Sequence, residues 1–128
     1  MLTYQQMFDR AFIGLRSQNF VPSYTSTDGC LYNGPNNTHC AWGWVVKDTG
    51  VNVYEGGSAS ANPCGLLITS EDNTFANDLQ AAHDYAAHPA VRHSWLKKPV
   101  GQKYNYKYQE MESNLRKFAA YHGLTVPE

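Results

Sequence analysis

Three cysteines, five histidines and one basic-aromatic run are the residues whose chemistry is worth testing first. Cys40, His83 and Asp84 supply the parts of a thiol enzyme: a nucleophile, a base and an orienting carboxylate. A thiolate forms near neutral pH only beside a histidine or at a helix N-terminus, and Cys40 gains both if it opens a helix. Papain-like enzymes place their histidine on a strand, whereas His83 lies in helix-like sequence. The simpler alternative is a buried histidine, hydrogen-bonded to backbone or to a side chain. Asp84 is set about 100° around the helix from His83, so the two are not expected to form a direct ion pair.

A metal reading draws on the same residues. Zinc asks for about four nitrogen or sulfur donors in a tetrahedron. Nine residues separate Cys30 from Cys40, too many for a zinc knuckle but suited to a cross-strand pair. His39, Cys64 or His83 could complete a set, yet no second pair has diagnostic spacing, so neither a metal nor another cofactor is expected. Reduced cysteines packed as small hydrophobes explain the same pattern.

The stretch from Lys97 to Tyr108 interleaves lysines with tyrosines around Gly101. Lys97, Lys98 and Lys103 offer charge to a phosphate, Tyr104 and Tyr106 offer planes for a base, and a helix starting near Tyr104 adds free N–H groups. A small phosphorylated ligand fits that chemistry, with the Trp42 and Trp44 face as a second candidate. The plainer reading is a basic loop leading into an amphipathic helix. There is no Walker loop, dinucleotide fingerprint or His-Glu-x-x-His, and the Asn36-Asn37-Thr38 sequon carries no weight without secretion.

The elements that must position these residues are legible from periodicity. Thr3-x-x-Gln6 is a capping box, and Tyr4, Met7, Phe8, Ala11, Phe12 and Leu15 share one face of a helix over 4–17. Cys30-Leu31-Tyr32 and Thr38–Val46 flank the turn formers 33–37, which predicts a hairpin with Cys30 facing Cys40 and with Trp42, Trp44 and Val46 on the Cys40 face. A short helix starting at Cys40 is the alternative. Residues 51–54 form a candidate strand, a Gly-Ser-Asn loop follows from 56, and 65–69 is either strand or helix lead-in. Thr74 is placed to cap a helix to His88, with Phe75, Leu79, Ala82, His83 and Ala86 buried. A short helix over 90–97 follows Pro89, and the last helix spans 104–122. Its seam is Tyr104, Tyr108, Met111, Leu115, Phe118 and Ala119, closed by Gly123-Leu124. The expected fold is α+β and helix-rich, with an N-terminal helix, a small antiparallel hairpin or sheet, and two or three C-terminal helices.

With 128 residues, 42% apolar and 16% charged, the chain is expected to form one globular domain over 1–128. Its formal net charge of −1 argues against general nucleic-acid binding. That total hides an uneven split, net −5 over residues 1–91 and +5 over 92–117. The split admits either a solvated helix face or an anion site in the last third. No run approaches ~18 apolar residues, so no membrane span is expected. The first residues lack a basic n-region and an apolar h-region, which predicts no signal peptide and a cytoplasmic protein. Nine tyrosines and three tryptophans would also suit a homodimer interface.

Cys30-x-Tyr32-x-Gly34-Pro35-Asn36, Cys40-Ala41-x-Gly43 and Leu79-Gln80-x-x-His83-Asp84, in that order, resemble a family of small uncharacterised proteins encoded by phages and prophages. The resemblance covers residues 4–88 and leaves out the basic-aromatic end. Trp42 stands where the family has a small aliphatic residue, and the loop around 50–63 is longer. The resemblance implies a genomic setting and no assigned activity. In that setting small proteins without enzyme motifs are often accessory factors, including antagonists of host antiviral defence. They act by capturing a small phosphorylated or nucleotide signal or by blocking a host protein, which would place this chain in the host cytoplasm.

Overall fold

The computed structural model describes residues 2–25, 27–50, 55, 69–87 and 106–128. The expectations for 51–54, for the loop from 56, for 65–68 and for a helix at 90–97 lie outside these residues. Cys64, Lys97, Lys98, Lys103 and Tyr104 do as well.

Helix α1 (Tyr4–Ser17) starts where the capping box places it. The Thr3 hydroxyl accepts from the Gln6 N–H at 3.1 Å, and the Gln6 side-chain oxygen accepts from the Thr3 N–H at 2.9 Å. Met7, Phe8, Ala11, Phe12 and Leu15 form its buried stripe. Asn19 and Phe20, both at positive φ (57° and 56°), turn the chain off the helix. An antiparallel pair follows, β1 (Tyr24–Thr25) with β2 (Gly29–Cys30), in which Tyr24 faces Cys30.

The expected hairpin of 30–32 with 38–46 is therefore corrected. Cys30 pairs backward with Tyr24, and the turn formers make a short 3-10 turn, Pro35–Asn37, with Asn36 and Asn37 left-handed. The chain then enters helix α2 (Ala41–Val46), the alternative that the Cys40 N-cap allowed. Capping won over alternation because Cys40 Sγ accepts the Gly43 N–H at 3.4 Å and Gln80 Oε1 accepts the Trp42 N–H at 2.8 Å. Two of the donors that a helix start leaves open are thus satisfied.

Helix α3 (Ser70–Ala87) starts four residues before the expected Thr74 cap. Thr69 Oγ1 accepts from the Asp72 N–H at 3.0 Å and Asp72 Oδ2 accepts from the Thr69 N–H at 3.1 Å, a reciprocal cap on an earlier threonine. α3 packs against both α2 and the last helix, so burial spreads beyond one stripe to Asp78, Gln80, Asp84 and Tyr85.

Helix α4 (Met111–His122) is shorter than the expected 104–122. Gln109 is left-handed (φ 61°), and the Asn114 side chain holds the Lys107 backbone from both sides at 2.8 and 2.9 Å, so residues 106–110 form an anchored turn. Its end follows the expectation: Gly123 is left-handed at φ 67°, and the Leu124 N–H reaches the Ala119 carbonyl at 2.8 Å.

Among the described residues one core cluster joins the four helices around Phe8, Phe12, Trp42, Phe75, Leu79, Leu115 and Phe118. Each such side chain contributes about 1.5–3 kcal/mol by leaving water. The last residues return to α1, where Gln5 exchanges two hydrogen bonds with the Thr125 backbone at 2.8 and 3.0 Å. No helix among the described residues is long and apolar enough to cross a membrane.

Candidate functional site

The three sequence motifs converge where β2, the start of α2 and the last turns of α3 meet. α3 projects Gln80, His83 and Asp84 toward this junction, and all three are buried. Gln80 Nε2 donates to Asp84 Oδ1 at 3.0 Å while its oxygen caps α2. His83 Nδ1 meets Asp84 Oδ1 at 2.8 Å. The expectation that neighbours about 100° apart would not pair is corrected here: with α3 enclosed on several sides, both side chains fold into one polar pocket.

The other face of His83 settles its tautomer. Nε2 accepts the Ser23 backbone N–H at 2.9 Å, so it carries a lone pair and the ring proton sits on Nδ1, facing Asp84. Each ring nitrogen has a partner. The Asp84 carboxylate gathers Gln80, His83 and the Cys30 thiol around itself.

The thiols are placed unequally. Cys40 has no exposed surface, and burial first, then the Asp84 carboxylate, push its thiol well above the usual range. Cys30 is part-exposed, and burial, Asp84 and the Cys40 thiol push it up likewise. A Cys40 nucleophile activated by His83 therefore meets two obstacles: the thiol is held protonated, and the histidine lone pair is committed to Ser23. The donors that do come together, within 4.8 Å of one another, are Cys30 Sγ, a His83 ring nitrogen and an Asp84 oxygen. Cys40 does not belong to that group.

No family description, curated protein or solved structure matches this chain. The motif residues must be read from their own geometry.

The ligand-binding candidates scatter. Trp42 is enclosed in the core at 0% exposure and shares no strand face with Trp44 or Val46, because the segment is helical. Trp44 is half-buried: its indole N–H donates to Gln18 Oε1 at 3.0 Å, and its ring stands edge-on to His39. It lines a shallow groove with Asp9, Arg10, Ile13, Ser17 and Lys47. Tyr106 is corrected from ligand plane to core residue, since it is buried, tilts against Tyr85 and donates its hydroxyl to the Asp78 carbonyl at 2.9 Å.

Sequence reasoning missed Ser23 and Glu55 as parts of the site and named Gln80 only as a motif position, without its capping role. Glu55 accepts from the successive backbone N–H groups of Tyr32 and Asn33 at 2.8 and 3.0 Å. Gln80 and Asp84 carried a signal, being i and i+4 on one helix face. Ser23 and Glu55 carried none, because their roles depend on contacts far along the chain.

Proposed function

We propose that this chain is a non-catalytic binding protein of phage type, an antagonist of host antiviral defence that captures a small phosphorylated or nucleotide-like signal. The observation that carries the non-catalytic part is the committed His83 ring, with Ser23 on one nitrogen and Asp84 on the other. The motif residues join β2, α2 and α3 and offer no cationic group to a phosphate, so the phosphorylated signal is met elsewhere. The phage setting rests on the resemblance of the Cys30, Cys40 and Leu79-Gln80-x-x-His83-Asp84 motifs. For the signal, the best match in chemistry is the basic-aromatic sequence with Lys97, Lys98, Lys103 and Tyr104, with Trp44 as the second candidate.

The test is native mass spectrometry of protein purified from bacterial cells beside its denatured mass. An excess of several hundred daltons, lost on denaturation and absent from a folded Lys98→Glu/Lys103→Glu variant, supports capture at this sequence. An excess that survives the double substitution excludes that location, and no excess overturns signal capture. The enzyme reading has its own readout: selective alkylation of Cys40 by iodoacetamide at about pH 6, faster than a free thiol, would replace binding with thiol chemistry.

A further inference from the structure

Asp84 is closed off from water, and its partners among the described residues are neutral groups. It is 2% exposed, and the groups around it are the Gln80 amide, the His83 ring N–H and the Cys30 thiol. Among the described residues no lysine or arginine is seen paired with it; Lys47 pairs with Asp48 and Arg116 with Glu112. Burying a carboxyl group among neutral partners is costly, and a cation bound to it relieves the cost. Of the three partners, Cys30 is the one that is part-exposed.

The donors set the kind of cation. One sulfur, one imidazole nitrogen and one carboxylate oxygen lie within 4.8 Å of one another. An ion bonded to each at about 2.0–2.3 Å holds them roughly 3–4 Å apart, which small side-chain movements reach. A thiolate and an imidazole favour borderline transition metals over calcium or magnesium. We propose that Cys30, His83 and Asp84 form a three-ligand site for a divalent ion of the zinc class, tying β2 to α3. The proposal does not rest on signal capture, but an ion bound here would replace the His83–Ser23 hydrogen bond from which the non-catalytic reading is argued.

The proton account makes the site distinguishable. Cys30 loses its proton to solvent and binds as thiolate, Asp84 binds as carboxylate, and the His83 proton moves from Nδ1 to Nε2 so that Nδ1 can bind. One proton leaves per ion. Nε2–H then faces the Ser23 N–H, so that hydrogen bond is given up.

The experiment titrates the full chain, reduced and chelator-treated, with cobalt(II) under anaerobic conditions. The expected result is a thiolate-to-cobalt charge-transfer band that saturates at one equivalent and disappears when zinc is added. Nitrogen-15 spectra of the zinc-loaded protein show His83 changing tautomer. Cys30→Ser loses the band and Cys40→Ser keeps it. Loss of an outer-shell partner alone costs roughly 10–100-fold in affinity, so Asp84→Asn weakens binding by more than that. No band in the natural protein, a band surviving Cys30→Ser, or His83 keeping its Nδ1 proton with the ion bound would each overturn the proposal. Should Cys30→Ser not fold, as read by circular dichroism, the tautomer measurement on the natural protein decides.

Discussion

The Tyr4 hydroxyl donates to Asp72 at 2.5 Å and stands 3.5 Å from Glu71, while its ring stacks on Phe75 at 4.0 Å. Burial and the two carboxylates push its ionisation above the ordinary value of 10.0. In the unfolded chain the phenol loses its proton near that value, but the folded chain keeps it. The native state then holds more protons, and stability falls as pH rises past about 10. Denaturant midpoints measured between about pH 9 and about pH 11 should drop more for the natural protein than for Tyr4→Phe. Because Tyr4 is only half-buried, solvent screening narrows the pH range over which the two states differ and so limits the total loss. His83 shows what residue-level reading could and could not deliver. Its burial followed from the apolar stripe, but its partners came from Ser23, sixty positions away, and from a neighbour that helical geometry alone places elsewhere.

At the scale of elements, α1 and the end of α4 were legible because local signals agreed: a capping box and stripe at one end, a glycine in the left-handed region with its apolar follower at the other. Segment 41–46 was ambiguous because six residues with two tryptophans and two valines satisfy either period. Long-range capping by Gln80 decided it. Gln18 plays a comparable part on the segment leading into α2. Its oxygen accepts from the His39 N–H at 3.1 Å and the Trp44 indole at 3.0 Å, and its amide donates to Val21 and His39 carbonyls. Gln18→Ala removes all of these, and we expect a loss of about 1–2 kcal/mol in equilibrium unfolding. Trp44 emission should shift toward that of a solvated indole. An unchanged midpoint would mean that water replaces the amide fully.

On the scale of the whole molecule, α3 packs between α2 and α4. Leu79, at 0% exposure in its middle, faces a packed interior, and Leu79→Ala should cost about 2–5 kcal/mol. Ile13→Ala, on a side chain 47% exposed, should stay within about 0.5 kcal/mol of the natural protein. Comparable losses in urea unfolding would show that Leu79 is not enclosed as this packing requires. The uneven charge along the sequence said nothing of this, since charge patterning describes surfaces and not which helix is enclosed.

The Gln5–Thr125 hydrogen bonds join positions 120 apart, which brings the polypeptide close to a ring. Bridging its ends with a short linker adds little closure entropy to a loop the fold already closes. Lys47 to Gly50 form an exposed turn after α2, where a cut interrupts no helix. A circular permutant opened after Gly50 should therefore retain the helical circular dichroism of the original order, with α1 and α4 now encoded side by side.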